Sequence, residues 1–403
     1  MSRKVRAAFI DGPMYEPLYR LVDEFSAAGQ VVVEAGFRGD HPALNAHLAS
    51  SPNPPYDLVS THTKYAPSQA RFLAPLQTLI TSVELADFYP KVLDLATVEG
   101  NLLGIPRNID VRLLHYRTDL MEKPPQSWDE LFEVALRLTG SKSRYGFAFP
   151  GRESGLFGTF FELCEAAGAH LFPANGIPDI LNDGGRWALG LLRRMFASGV
   201  VPPEIVDWHY DEVHRSFREG HVAMIGDWPA YYPAHLDPSL SGVHDCFSVA
   251  VYPIGPSGES KTYGGCHTFA LTHRGASNPD AVELLCFLTA LERQMFECSR
   301  GSVPVRQSVM QQILGHASEK DSERWLMLES VIATSVIIPP KMKQYPEIEA
   351  VLWQTLQKAI IGKMEEEEAL NSIVRQIADI VNRASTQSQH STVQAQKESS
   401  NVD

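Results

Sequence analysis

The first sixty residues alternate between short apolar runs typical of buried strands and an amphipathic stretch typical of a helix. Residues 5–10 and 31–37 are apolar or β-branched, and residues 15–28 between them carry apolar side chains at helical spacing. A third strand is predicted at residues 56–60. Strand, helix and strand at this spacing predict parallel pairing with right-handed crossovers, and therefore an open α/β sheet.

Open α/β sheets bind ligands beyond the carboxyl ends of their strands. In this chain those ends lead into three loops, at residues 11–16, 38–41 and 61–65. The side chains in these loops that we take as candidates for ligand contact are Tyr15, Arg38, His62 and Lys64. Three of them have an ordinary alternative: Tyr15 as an aromatic residue at a helix start, and His62 and Lys64 as solvated surface groups.

The size and charge of the chain narrow its class. With 403 residues, it is longer than one hydrophobic core usually supports, so two α/β lobes are expected. The formal net charge of -13 disfavours a nucleic-acid partner, which would need a basic face. No apolar run reaches the roughly 18 to 20 residues that span a bilayer.

The N-terminal segment lacks the features of a secretory signal. Its apolar run at residues 5–10 includes Arg6 and stops at Asp11, which is shorter than the hydrophobic region that export requires. A signal trimmed from the sequence and a cytoplasmic location both stay open.

The five cysteines form no CxxC pair and no Cys/His metal spacing. We therefore expect the cysteines to act as small buried hydrophobic residues.

The clearest predicted helix is at residues 127–139. There Ser127 and Glu130 form a capping box ahead of an apolar stripe. Further strands are predicted at 247–252 and 267–272, and helices at 278–289 and 347–384. Residues 385–403 are almost free of apolar side chains and are predicted to be disordered, because they cannot bury enough surface to offset chain entropy.

Eight segments follow one another in an order known from one protein family. They are FYPKVLDLATVEGNLLGIP (88–106), HYRTDL (115–120), PQSWDEL (125–131), FREGHVAMIGDW (217–228), GGCHTFAL (264–271), NPDAVELLCFL (278–288), GSVPVR (301–306) and IPPKMKQYP (338–346). No single segment is specific. Together they resemble the family-1 extracellular solute-binding proteins of ABC importers, the maltose-binding-protein-like class, over roughly residues 5–384.

This resemblance implies a two-lobed periplasmic-binding-protein-like fold of type II, in which each lobe is a mixed sheet flanked by helices. The implied hinges lie near 108–112 and 264–267. The implied lobes are an N-lobe of 1–108 plus 265–310 and a C-lobe of 113–262 plus 311–384. The resemblance also implies a monomer that works with membrane permease subunits, in the periplasm or at the cell surface. No cofactor and no metal are expected.

The resemblance adds candidate ligand contacts along both lobes. Trp228 would stack on a sugar face, with packing inside the lobe as the alternative. Tyr231 would line the rim or cap a helix. The remaining candidates lie at the two crossings, in a C-lobe loop and near the C-terminus: Arg107, Asp110, Gly265, His267, Arg152 and Tyr345.

Ordinary alternatives exist for these residues too. Arg107 and Asp110 could pair with each other, and Arg152 with Glu153 could be a solvated loop pair. No second ligand stands at metal spacing from His267, so a metal role for it is not expected.

The sequence contains no GxSxG elbow, Walker A loop, HExxH or GxGxxG motif, so no enzyme activity is expected. A carboxylate pair for glycoside hydrolysis stays open. The leading interpretation is a binding protein that captures a carbohydrate or polyol by hinge closure. Two alternatives remain: a cytosolic sensor or enzyme on the same fold, and a binder of an anionic ligand such as a sugar phosphate, which Arg38, Arg107 and Arg152 would suit.

Overall fold

The computed structural model describes residues 3–12, 15–80, 85–141, 143–173 and 176–399, with side chains described up to residue 384 except at position 320. The strands are β1 (Arg3–Ile10), β2 (Val31–Gly39), β3 (Leu58–His62), β4 (Thr97–Val98), β5 (Asn101–Leu102), β6 (Ile105–Val111), β7 (Leu113–Arg117), β8 (Tyr145–Ala148), β9 (Val222–Asp227), β10 (Phe247–Ala250), β11 (Thr262–Leu271) and β12 (Val336–Ile337).

Helices cover the faces of these sheets. They are α1 (Glu16–Gly29), α2 (His41–Ala49), α3 (Ala66–Gln69), α4 (Pro90–Ala96), α5 (Trp128–Leu138), α6 (Glu153–Ala166), α7 (Asp183–Ala197), α8 (Tyr210–Arg218), α9 (Tyr232–Leu236), α10 (Pro279–Leu288), α11 (Leu291–Cys298), α12 (Gln307–His316), α13 (Glu319–Thr334), α14 (Tyr345–Ile360) and α15 (Glu366–Ser399). Of the described helices, none is both long and apolar enough to cross a bilayer.

The first sheet is built from both ends of the chain. Its order is β12-β11-β3-β1-β2. Strand β6 also pairs with β11, along residues 264–269, directly after the two residues that pair with β12. The parallel pairing predicted for the first three strands is confirmed, because β1 pairs in parallel with both β2 and β3. Strand β11 runs antiparallel to β3 and β6, so the sheet is mixed.

The second sheet has the order β10-β7-β9-β8. Strands β8 and β9 are parallel, and β7 is antiparallel to both β9 and β10. Two lobes of mixed sheet flanked by helices confirm the predicted fold class. Helix α5 starts as predicted, with Ser127 Oγ accepting from the backbone N–H of Glu130 at 3.1 Å, while the Glu130 carboxylate accepts from the Gln126 N–H at 2.7 Å.

Arg112 alone separates β6 in the first sheet from β7 in the second. Its guanidinium is paired with Glu162 on α6, with Nε 3.0 Å from Oε1. Glu162 Oε1 also accepts from the backbone N–H of Tyr263, at the start of β11, at 2.6 Å. The Glu162 carboxylate of the second lobe therefore contacts both segments at which the chain passes between the lobes, at Arg112 and at Tyr263. Burial raises the pKa of Glu162 to about 7 despite the opposing charge of Arg112.

The cores of the two lobes do not follow the predicted division at residue 310. Trp325, Leu328 and Val331 on α13 are buried in the core of the first lobe with the β1 side chains Val5 and Phe9. Helices α14 and α15 instead pack into the second-lobe core with α6 and α7. The boundary expected at 311 is therefore wrong for residues 319–334, because the apolar face of α13 is buried against the first sheet.

The C-terminal segment also differs from its prediction. We expected disorder over 385–403, whereas α15 continues as a helix through Ser399. Extending an existing helix adds one hydrogen bond per residue and needs no new nucleus, which a composition argument does not consider. Residues 400–403 lie outside the described part of the chain, as do residues 13 and 14 of the first predicted ligand loop.

Candidate functional site

A cleft between the two lobes holds about 780 Å³ of empty space, counted with its open mouth. The residues that line it are Ile10, Asp11, Gly12, Tyr15, Asp40, His41, Pro42, His62, Lys64, Asp110, Ser154, His209, Tyr210, Asp211, Trp228, Tyr231, Tyr263, Gly265 and His267.

The first-lobe wall contains residues at the carboxyl ends of β1, β2 and β3, which the strand pattern had marked. It also contains residues of two strands, Asp110 on β6 and Gly265 and His267 on β11. Three imidazole rings meet there, those of His41, His62 and His267. Their centroids lie 4.6 Å apart for His41 and His267, and 5.2 Å apart for each of the other two pairs. The pKa values of His41 and His62 lie well below the usual range, mainly because both rings are buried and secondly because His267 is close. Both imidazoles are therefore neutral at pH 7.

Neutral imidazoles and a carboxylate supply this wall with both donors and acceptors. The backbone N–H of Lys64 donates to His62 Nδ1 at 3.1 Å, which leaves the Nε2–H of His62 as a donor. Asp110 Oδ2 lies 3.3 Å from His267 Nε2 and accepts from Asn108 Nδ2 at 2.7 Å. Three buried atoms of this wall make no hydrogen bond with any described residue: His41 Nε2, Asp110 Oδ1 and His267 Nδ1.

The second-lobe wall is aromatic. The rings of Tyr210 and Trp228 are packed edge to face with centroids 5.2 Å apart, and Tyr263 lies 6.0 Å beyond Trp228. Tyr231 is held in place by its hydroxyl, which donates to Asp211 Oδ1 at 2.5 Å. The buried Tyr210 hydroxyl makes no hydrogen bond within the described residues. Such a wall offers flat apolar faces with polar tips.

A buried polar network closes the base of the cleft. Lys64 Nζ lies 2.7 Å from Glu349 Oε1 and 3.2 Å from the Tyr263 hydroxyl. The hydroxyls of Tyr65 and Tyr345 donate to the same carboxylate at 2.7 and 2.8 Å. Burial alone would lower the pKa of Lys64, but the negative charge of Glu349 outweighs it and holds the pKa well above the usual range. The ammonium is therefore charged and already paired.

Eight of the predicted contact residues line this one cleft, and they come from both lobes: Tyr15, His62, Lys64, Asp110, Trp228, Tyr231, Gly265 and His267. The other four lie elsewhere. The Arg38 guanidinium stacks on Tyr19 at 3.9 Å from the ring centroid. Tyr345 is fully buried among second-lobe side chains.

The remaining two arginines are engaged by carboxylates. Arg107 Nε lies 2.8 Å from Oε1 of Glu297, next to a small cavity beside the cleft. Its charged partner is therefore Glu297, and not Asp110 or a ligand in the cleft. Arg152 precedes α6 and pairs with Glu153 at 3.2 Å, which is the loop pair considered above.

Several lining residues were not predicted. Asp40 and His41 lie in or next to a loop that the strand pattern had marked, so their polarity was a usable signal. His209, Tyr210 and Asp211 come from the start of α8, and Ser154 from α6, where the sequence shows no pattern pointing to a site. Ser154 Oγ lies 3.2 Å from His209 Nε2.

Comparison with known proteins agrees with this architecture. Residues 20–324 match the profile of the family described as bacterial extracellular solute-binding protein. The chain belongs to this family. A binding protein of Brucella abortus is 21% identical over 339 residues, covering 81% of this chain and 79% of that one. A mannitol-binding protein of Pseudomonas aeruginosa is 30% identical over 197 residues, 45% of this chain and 44% of that one.

Solved structures of similar fold are two-lobed binding proteins. A maltose-bound protein of T. maritima has a TM-score of 0.86 at 22% identity, covering 94% of this chain and 99% of that one. A solute-binding protein of Agrobacterium vitis with bound D-mannitol has a TM-score of 0.80 at 19% identity, covering 95% and 99%. At these identities the likeness establishes the fold. The family is one of transport binding proteins rather than enzymes.

Proposed function

We propose that this solute-binding protein captures a neutral polyhydroxylated solute, a sugar or a polyol, between its lobes. The observation that carries the proposal is the pairing of two unlike walls across one cleft. Tyr210 and Trp228 offer aromatic faces on one side, and His41, Asp110 and His267 offer unpaired buried donors and acceptors on the other. Sugars present C–H faces together with hydroxyl groups, and this cleft suits both.

The charges of the cleft favour a neutral ligand over an anionic one. Arg38, Arg107 and Arg152 do not line the cleft, and each has a partner within the protein. The one lysine among the lining residues, Lys64, is neutralised by Glu349. Four carboxylates line the cleft instead, those of Asp11, Asp40, Asp110 and Asp211. A phosphate would meet these carboxylates without an available guanidinium, so the sugar-phosphate alternative is disfavoured.

Hinge closure supplies the mechanism. The lobes are joined at Arg112 and at the start of β11, and the ligand would touch residues from both lobes at once. Such a ligand favours the closed state because only that state completes its contacts. Relatives and structural neighbours that bind mannitol or maltose support a ligand of this class.

The wider role follows from the family. We infer that the protein acts as a monomer outside the cytoplasm and delivers its solute to the membrane subunits of an ABC importer. The extracellular family and a relative described as an ABC transporter-binding protein from Deinococcus radiodurans support this role.

Isothermal titration with mannitol, ribitol, tagatose, maltose and the matching sugar phosphates tests the proposal. We expect at least one neutral compound to bind, and its phosphate to bind at least about tenfold more weakly, a difference of about 1.4 kcal/mol. Trp228→Ala should weaken binding by a similar factor. Trp187→Ala, on α7 and outside the cleft, should leave affinity unchanged. Tighter binding of the phosphates would refute a neutral ligand.

A further inference from the structure

A second cluster of polar side chains lies inside the second lobe, behind the aromatic wall. His214 on α8, Asp227 at the end of β9 and His235 on α9 each offer one ligand atom, and these atoms all lie within 4.8 Å of one another. The three residues are 4%, 1% and 0% exposed. None of them was selected from the sequence, because spacings of 13 and 8 residues match no short metal motif.

The hydrogen bonds inside this cluster leave it incomplete. His235 Nε2 lies 2.7 Å from Asp227 Oδ2, and Asp227 Oδ1 accepts from the backbone N–H of Trp228 at 2.8 Å. The Nδ1 atoms of His214 and His235 are buried and make no hydrogen bond with any described residue. Buried polar atoms in native proteins are nearly always satisfied, so two unpaired imidazole nitrogens beside one carboxylate indicate a missing partner.

The charge of Asp227 also lacks a full counterpart. Asp227 and Arg324 both line a small cavity in this part of the molecule. The guanidinium carbon of Arg324 lies 4.3 Å from the centroid of the Tyr232 ring. Within the described residues, Arg324 makes no ion pair with Asp227. The one ionisable side chain paired with Asp227 there is His235. A buried carboxylate without a cation is costly, and a cation in the cluster would satisfy it.

We propose that His214, Asp227 and His235 form a structural binding site for a divalent transition ion of the zinc class. Imidazole nitrogen and carboxylate oxygen are both zinc ligands at about 2.0–2.2 Å, so ligand atoms in a tetrahedral site stand about 3.3 Å apart. Atoms that already lie within 4.8 Å of one another need only small side-chain movements to reach this spacing. An ion bound there would supply a partner for the unpaired imidazole nitrogen of His214 and a positive charge next to Asp227.

A fourth nitrogen of the same kind lies next to the three. His115 Nδ1 is 3.2 Å from the carbonyl oxygen of Leu113, and a carbonyl can only accept, so Nδ1 carries the proton and Nε2 carries the lone pair. This Nε2 is also buried without a partner among the described residues. The ring centroids of His115 and His235 are 5.2 Å apart, so His115 lies next to the proposed site, although its nitrogen is not among the three ligand atoms that lie within 4.8 Å of one another.

The site would organise the aromatic wall of the cleft. The ring of Tyr231 stacks on His214 with centroids 3.8 Å apart, and Trp228 directly follows Asp227. The segment that carries both aromatic side chains therefore begins after Asp227, packs on His214 and leads into α9, the helix that carries His235. An ion that joins α8, β9 and α9 fixes the position of this loop, so we assign it a structural role.

The test measures metal content and does not depend on sugar binding. Protein without an affinity tag is refolded from guanidinium in zinc-buffered solution, because a buried site exchanges slowly, and bound zinc is then counted by mass spectrometry. We expect one zinc per chain, and a visible cobalt spectrum of a nitrogen- and oxygen-ligated site after substitution with Co²⁺. Thermal unfolding should shift upward compared with protein refolded in chelator.

Matched histidine variants locate the ion. His214→Ala, and Asp227→Asn as a variant of nearly unchanged shape, should each lower zinc affinity at least about tenfold. His221→Ala, at a half-exposed position in the same lobe, and His267→Ala, in the cleft, should retain one zinc per chain. Wild-type protein that binds no zinc, or zinc that is lost in His267→Ala and retained in His214→Ala, would overturn the proposal.

Discussion

The ammonium of Lys64 lies 2.7 Å from the carboxylate of Glu349, although 285 residues separate them in the sequence. Lys64 follows β3 in the first sheet, and Glu349 belongs to α14, which packs in the second-lobe core. Both side chains are almost fully buried. The pair therefore joins two distant parts of the chain at the base of the cleft, and Glu349 balances the charge of the one lysine among the lining residues.

This buried pair leads to a prediction about stability. Glu349→Gln leaves the Lys64 ammonium buried without its counter-charge, so we expect the free energy of unfolding to fall by about 3–5 kcal/mol. Urea denaturation followed by circular dichroism measures the change. Glu34→Gln removes the carboxylate of an exposed pair with Lys4 and should have little effect. Equal effects of the two substitutions would contradict the role assigned to Glu349.

The histidine cluster predicts weaker ligand binding in acid. Burial depresses the pKa values of His41 and His62, so their neutral forms belong to the closed cleft. Where the cleft is open and these imidazoles reach water, they bind protons below their usual pKa near 6.5, and closure must release those protons. The contribution of neutral histidine is therefore present above pH 6.5 and is lost as the pH falls below it.

The size of this effect can be estimated for one group. Between pH 7.5 and pH 5, a histidine that must stay neutral on closure lowers affinity by about thirtyfold. Titration calorimetry across this range measures it for any neutral solute that binds. His62→Gln should reduce the slope, because an amide does not titrate there. An affinity that is constant from pH 5 to pH 7.5 would show that closure does not bury these rings.

Gly265 predicts a steric effect on the cleft. A Cβ atom at this position would lie 2.1 Å from His62 Nε2, and β11 cannot move away because it is paired with β6 here. Gly265→Ala should therefore displace His62, lower stability by about 1–3 kcal/mol and weaken solute binding. Thermal unfolding and calorimetry check both effects.

Gly315→Ala is the matched control, since no atom lies within 4 Å of a Cβ there and the residue is in helix α12. We expect it to keep full affinity and to be at least as stable as the wild type. If Gly265→Ala also kept full affinity, His62 would not be part of the binding wall.

The sequence determined the parts of this protein that depend on neighbouring residues. The periods of apolar side chains predicted β1 to β3 and α5, because one buried face leaves its repeat in the local sequence. The loops after those strands then located much of the first-lobe wall, since parallel strands bring their carboxyl ends to one edge. The ordered family segments indicated the second lobe and the aromatic loop at Trp228.

Only the tertiary structure decided which polar groups remain available. Arg107 is engaged by Glu297, which is 190 residues away, and local sequence holds no trace of that pairing. His41, at the start of α2, and His267, on β11, meet although more than 220 residues separate them in the sequence. Tyr345 looked like a cleft residue but donates its hydroxyl to Glu349 within the core. Charges and hydrogen bonds are satisfied by whatever the fold brings close, so contacts between distant residues, not the pattern of each segment, set the chemistry of the cleft.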